Sequence, residues 1–161
     1  MQPAEHAQYS PEGFGDSTGD IPDRIYPGEA LIDMARECDF LVVTLPLTDE
    51  TWHAINAEVF EVMKPGAYLI NVARGSVVDE AALISALAAG QIAGAALDVF
   101  EEEPLPSRSP LWQMDNVIIS PHVAGNSLHY HEKAAKLFAE NLRRYLDNQP
   151  LLNQLQRQQG Y

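Results

Sequence analysis

Residues 64–99 read KPGAYLINVARGSVVDEAALISALAAGQIAGAALDV, and this stretch decides the fold. Lys64-Pro65-Gly66 is a turn. Ala67–Ala73 is a short apolar run with Arg74-Gly75 beyond it, the pattern of a buried strand. Asp79–Ala89 is a helix, and Gly90 ends it, because glycine readily takes the left-handed conformation that closes a helix. Ile92–Val99 is a second buried strand. Strand, helix and strand in close succession make two parallel strands joined by a crossover.

The same alternation continues outward. Ala30, Leu31, Met34 and Ala35 share one face of a helix over Gly28–Glu37. Phe40–Leu45 is a continuous apolar run, as expected of a strand covered on both sides, and Pro46 ends it. Asn56–Met63 is a short helix with Asn56 as its N-cap. Pro104–Pro110 is a loop holding three prolines, Asn116–Ser120 is a fourth strand stopped by Pro121, and Ser127–Asp147 is a long helix with Ala134, Ala135, Phe138, Leu142 and Tyr145 at helical spacing. The expected class is therefore α/β. Its parallel sheet has strands near Phe40–Leu45, Tyr68–Val72, Ala93–Val99 and Val117–Ser120, with helices on both faces. Residues 1–27, with four prolines and three glycines, read as an irregular arm. Residues 28–150 form the folded part, and the glutamine-rich residues 151–161 are expected to be a mobile tail.

Composition narrows the function. Ten basic against 23 acidic side chains give a formal net charge of −13, which disfavours nucleic acid and anionic membrane surfaces as partners. No apolar run approaches the roughly 18 residues of a membrane helix. Met1–Asp20 is too polar for a signal peptide. The single cysteine, Cys38, allows no internal disulfide and reads as core, so a cytoplasmic setting is the expectation. His129 and His131 lie two apart on a helix and point apart. Trp52 and His53 read as packing. No metal site is expected.

In an open parallel sheet, ligands bind beyond the carboxyl ends of the strands. Arg74, Glu103 and His122 all fall there. Gly75 lets the chain turn after a buried strand, which leaves the Arg74 guanidinium at the sheet edge as a planar fork suited to a carboxylate. In Glu101-Glu102-Glu103-Pro104 two glutamates read as solvated charge, while Glu103 is directed by the proline after it. His122 stands between Pro121 and a Val-Ala-Gly segment, and histidine is the usual proton donor near neutral pH.

These segments carry a resemblance. Asn71-Val72-Ala73-Arg74-Gly75-Ser76-Val77-Val78-Asp79-Glu80, Gly94-Ala95-Ala96-Leu97-Asp98-Val99-Phe100-Glu101-Glu102-Glu103-Pro104 and Ser120-Pro121-His122-Val123-Ala124-Gly125 resemble the signatures of the D-isomer-specific 2-hydroxyacid dehydrogenases. The loop Thr44-Leu45-Pro46-Leu47-Thr48, with Glu50-Thr51, also fits. The resemblance runs from about Ile25 to Leu152. It implies a Rossmann-type sheet and hydride transfer between NAD or NADP and a small 2-hydroxy or 2-oxo acid. His122 would be the acid/base, Glu103 its orienting partner and Arg74 the substrate anchor. Asp98 would hold the nicotinamide carboxamide, while Leu45, Pro46, Val72, Ala73 and Gly125 would line the cofactor.

The chain departs from that family at its start. The Gly-x-Gly-x-x-Gly turn, its flanking strand and helix, and the substrate domain are not seen. Gly13, Gly15 and Gly19 have neither a buried strand before them nor a helix after, and read as loop glycines. The first half of the nucleotide-binding fold is thus expected to be missing, as in a fragment, and the chain alone is expected to be weak or inactive. The non-enzymatic alternatives are a nucleotide-sensing interaction protein of the C-terminal binding protein type and a folded remnant. Formate dehydrogenases carry glutamine where Glu103 stands. Without its first strand the sheet would open an edge along Phe40–Leu45. A homodimer or larger assembly is therefore expected, through that edge or through Ser127–Asp147.

Overall fold

Leu41, Leu69 and Ala95 stand side by side across three parallel strands, and one pleat further on stand Val43, Asn71 and Leu97. The apolar members of these rows are buried in the core, together with Ala35, Val59, Phe60, Leu83, Ala86 and Leu87. The computed structural model describes residue 16 and residues 19–155. Within them, α1 is Leu31–Glu37, β1 Phe40–Val43, α2 Ala57–Val62, β2 Tyr68–Asn71, α3 Glu80–Ala88, β3 Gly94–Leu97, β4 Val117–Ile119 and α4 Tyr130–Leu146. The strands form one sheet in the order β1-β2-β3-β4, parallel throughout. The expected strand positions and the parallel sheet are as observed.

Local chemistry explains the boundaries. The Asn56 side chain accepts from the N–H groups of Glu58 and Val59, which caps α2, and Asp79 does the same for α3 through Ala82. Gly90, at φ +68, closes α3. Its N–H donates to Leu87 and that of Gln91 to Ala86, the paired bonds of a Schellman ending. β1 stops at Val43, short of Leu45, because its partner bends away after Asn71. Val72 makes the last ladder bond, to the Val43 carbonyl at 3.3 Å.

One expectation is corrected. β1 is buried on one side only: Phe40 is 64% and Val42 54% exposed, while Leu41 and Val43 are buried. Side chains alternate across a pleated strand, and the core side chains of α1, α2 and α3 all meet the Leu41–Val43 side. The other face carries the row Val42, Ile70, Ala96 and Ile118, with Phe40 stacked on Tyr68 at 5.7 Å between ring centroids.

The described residues divide into two compact units. One is Tyr26–Gly125 and contains the whole sheet. The other joins the described residues before Tyr26 to those from Asn126 onward. In the latter, α4 begins at Tyr130, not Ser127, after a turn in which the Tyr130 N–H bonds the Ser127 carbonyl. Arg143 and Arg144 both hold Glu140 and lower its pKa to about 2. The Asn141 side chain bonds both the N–H and the carbonyl of Leu152. Residues 156–161 of the expected tail and residues 1–15, 17 and 18 of the expected arm, with Gly13 and Gly15, lie outside the described residues. Gly19 lies inside them. Its N–H and those of Asp20 and Ile21 all bond the Asp16 carboxylate, so these amides are already engaged by an anion of the chain itself.

Leu69 is fully buried at the centre of the sheet. Leu69→Ala should cost about 2–5 kcal/mol, read as a lower urea midpoint with an unchanged slope. A cost under about 1 kcal/mol would show that the core lies elsewhere.

Candidate active site

The turn after β2 is built by a side chain folded into its own backbone. Asn71 is 1% exposed. Its Oδ1 accepts from the Ala73 N–H and its Nδ2 donates to the Arg74 carbonyl, both at 3.1 Å. A buried amide satisfied in this way fixes the bend without help from water. Gly75 follows, and a Cβ there would collide with the carbonyl group of Phe100. The turn after β2 and the segment after β3 therefore touch backbone to backbone. Arg74 is left exposed at the carboxyl edge of the sheet, with Nη1 donating to the Ala73 carbonyl at 2.7 Å.

Asp98 closes β3 and is 3% exposed. One carboxylate oxygen accepts from the Ser120 hydroxyl and the Val123 N–H, and the other from the Ala124 N–H at 2.7 Å. The His122 N–H donates to the Asp98 carbonyl at 2.9 Å. Together these bonds hold His122 at φ +53, a left-handed conformation that is uncommon for a residue with a side chain. Burial pushes the Asp98 pKa up, but the bonds from Ser120, Ala124 and Val123 and the nearby His122 outweigh it, and the net shift is downward.

So held, the His122 ring meets Glu103. Nδ1 lies 2.7 Å from Oε2 of Glu103, and Oε1 of the same carboxylate accepts from the Phe100 N–H. A carboxylate can only accept, so the proton is on Nδ1 and Nε2 remains for other chemistry. Burial raises the Glu103 pKa. The bonds from His122 and Phe100, with the charges of His122 and Arg74, bring it below the usual carboxylate range. Arg74 is thus close enough for Glu103 to feel its charge.

A cavity of about 540 Å³ opens beside this pair, lined chiefly by Phe100, Pro104, Leu105, Trp112, Ile119 and Pro121, with Asp98, Glu103, Ser120 and His122. Leu45 and Pro46 after β1, Val72 after β2 and Gly125 after β4 are exposed at the same edge, and Ala73 is buried. The residues expected of the site thus lie just beyond the carboxyl ends of the four strands. Asp98, expected at a cofactor carboxamide, has its oxygens bonded by its own neighbouring loop. Sequence reading missed Asn71 and Ser120 as supports. An asparagine in an apolar strand was the available signal for the first. It also took Glu101 as merely solvated and His53 as packing, whereas His53 Nε2 lies 2.8 Å from Glu101 Oε1.

Residues 17–124 match the family described as D-isomer specific 2-hydroxyacid dehydrogenase, NAD binding domain. The glyoxylate reductase of Pyrococcus horikoshii is 52% identical over 112 residues, 70% of this chain and 33% of that protein. That of Thermofilum pendens is 50% identical over 109 residues, 68% of this chain and 32% of that protein. The chain spans about a third of the length of these curated relatives. Among solved structures, a D-isomer specific 2-hydroxyacid dehydrogenase from Xanthobacter autotrophicus Py2, in complex with NADPH and MES, is 51% identical. It superposes with a TM-score of 0.78 over 83% of this chain and 54% of that one. An NADPH-dependent glyoxylate/hydroxypyruvate reductase from Sinorhizobium meliloti, in complex with NADP and sulfate, is 33% identical with a TM-score of 0.78, over 84% of this chain and 44% of that one.

Two outcomes follow from the geometry. Gly75→Ala should destabilise by at least the upper end of the about 1–3 kcal/mol typical of overpacking, because its contact is rigid backbone; a wild-type thermal midpoint would refute the close approach. Asp98 and Glu103 both have lowered folded-state pKa values, so their contribution is complete above the ordinary carboxylate range near pH ~4 and is lost as pH falls through the lowered values. Asp98→Asn should therefore be well below wild type in urea at pH 7 and closer to it at pH 3. A constant gap across that range would contradict the assignment.

Proposed function

The chain belongs to the D-isomer specific 2-hydroxyacid dehydrogenase family, and on that premise we propose that it supplies the acid–base half of the active site of an NAD(P)-dependent reductase of small 2-oxo acids such as glyoxylate. The observation that carries this reading is the 2.7 Å pair of His122 Nδ1 and Glu103 Oε2, set on the same sheet edge as Arg74. Reduction of a 2-oxo acid needs a proton for the carbonyl oxygen and a cation for the carboxylate, and these side chains supply both. Glu103 keeps a proton on Nδ1 and so turns Nε2 of His122 outward as the donor; in the reverse direction the same nitrogen takes the proton back. Arg74 binds the carboxylate through its planar fork and draws charge from the reacting carbonyl.

The cofactor fits the nicotinamide end of this edge. Leu45, Pro46, Val72 and Gly125 offer a largely apolar surface for a ring, with Ala73 behind it and the His122 cavity alongside. When bound, the reduced nicotinamide supplies the hydride, and the protein contributes position and charge. The amides of Gly19, Asp20 and Ile21 are taken by Asp16 and so are not free to hold a phosphate. The chain by itself is accordingly weak or inactive. Asp98 acts on the cofactor chiefly by holding the His122 segment in place.

The purified 161-residue chain should reduce glyoxylate or hydroxypyruvate poorly or not at all with NADH or NADPH; robust steady-state turnover would overturn that expectation. Joined to a glycine turn and a substrate domain, the segment should be active, and His122→Ala should then lose roughly 10²–10⁴-fold in kcat, the usual worth of general acid catalysis. Retention of most turnover would remove His122 from its role. Among the described residues β1 is paired on one side only, and this edge with the exposed Phe40 and Val42 favours a homodimer or larger assembly. Sedimentation at micromolar concentration should show it, with Val42→Lys shifting the equilibrium toward monomer.

A further inference from the structure

Apart from the pair at the cavity, His53, Asp79 and Glu101 bring a ring nitrogen and two carboxylates within 4.8 Å of one another. These are metal-ligand types, but their hydrogen bonds point to other work. Oε1 of Glu101 accepts from His53 Nε2 at 2.8 Å and from the Glu80 N–H at 3.1 Å. Asp79 Oδ1 caps α3 through the Ala82 N–H at 2.9 Å. A cation here would face the amide donors at the start of α3, where anions are favoured.

We propose that His53 and Glu101 are positioning residues that clamp the three loops at the carboxyl edge into one register, so that Arg74 and the His122–Glu103 pair address the same space. His53 stands on the loop after β1, at φ +50. Its N–H donates to the Ser76 carbonyl at 2.9 Å, just beyond Arg74. The next residues continue the tie: the Ile55 N–H bonds the Val77 carbonyl and the Asp79 N–H bonds the Ile55 carbonyl. The backbone of His53 thus belongs to the Arg74 turn, and its ring reaches the loop after β3. The Trp52 ring stacks on it at 3.6 Å between centroids, which restricts its rotation.

Glu101 closes the circuit. Its carboxylate takes the Glu80 N–H, and its own N–H donates to Glu80 Oε2 at 3.2 Å. Burial and the charges of Glu101 and Glu102 push the Glu80 pKa up, so this corner gathers negative charge that a donor from His53 helps to hold. Two residues on is Glu103, whose carboxylate is fixed by the Phe100 N–H and faces His122. A displacement of Glu101 therefore reaches His122 through Phe100 and Glu103, and reaches Arg74 through the backbone contact of Gly75 with Phe100.

The proposal rests on reading Arg74, Glu103 and His122 as one site, but its test needs no turnover. In the 161-residue chain, NMR of the Arg74 Nε–H and the His122 ring reports the two ends separately. His53→Ala and Glu101→Ala should each move or split both signals and leave the Leu69 and Leu97 amides in place. The double variant should move the signals by less than the two single variants added together, because the His53–Glu101 bond is lost in each of them. Glu101→Gln keeps the acceptor and should match wild type. Unmoved Arg74 and His122 signals in folded His53→Ala and Glu101→Ala would overturn the clamp, and so would saturable broadening of His53 and Glu101 by micromolar manganese(II), which would mark a metal site instead. If His53→Ala does not fold, His53→Gln decides, since its amide can reach the same carboxylate: wild-type signals support the clamp and displaced ones overturn it. Absence of glyoxylate reduction in an otherwise complete protein would count against the catalytic reading alone.

Discussion

A carboxylate taken out of water must replace its lost hydration with donors of fixed direction, and Asp98 does so with three of them. Ser120, Val123 and Ala124 converge on its two oxygens, and the His122 N–H takes its backbone carbonyl. The cost of burial is met only if residues 120–124 keep one path around the end of β3. That path includes the left-handed backbone of His122, and it aims the ring at Glu103. The position of the histidine thus follows from the solvation of a neighbouring acid.

The same economy of contact governs the other loops. Parallel strands deliver their carboxyl ends to one edge, but a shared edge alone leaves the loops free to move. Here they are tied at close range. Asn71 folds its side chain into the turn that presents Arg74, Gly75 lets that turn meet the backbone of Phe100, and Phe100 in turn holds Glu103. Two of these ties are hydrogen bonds and one is a close backbone approach that only glycine permits, and together they convert the general advantage of the sheet edge into a fixed arrangement of Arg74, Glu103 and His122. On the side of the sheet away from α1, α2 and α3, Phe40, Val42 and Ile118 are exposed.

Much of this was legible beforehand, for local reasons. The apolar runs around Val43, Leu69, Leu97 and Ile119 are short and bounded by proline, glycine or charge, which suits a strand better than a helix. Asn56 and Gly90 announce helix ends by chemistry that acts within four residues. Arg74, Glu103 and His122 stood out because each follows a strand in a segment whose residue order is distinctive over many positions. What could not be read is what depends on distance in space. The alternation of buried and open sides in Phe40–Val43 is invisible in four consecutive apolar residues. The partners of Glu101, one of three adjacent glutamates, come from positions 53 and 80. Nothing in the order of the chain separates Glu101 from Glu102, whose carboxylate meets Arg108 instead.

By itself, then, the sequence determined the parallel α/β sheet, the positions of its strands and the three side chains at its carboxyl edge, since hydrophobic periodicity, caps and turns are local properties of a chain. Tertiary structure alone decided which face of β1 is covered, that Asp98 braces the His122 segment, and that His53 and Glu101 join loops 48 residues apart. Those outcomes depend on which polar groups are left without water once the strands pack, and that is settled by the whole fold at once.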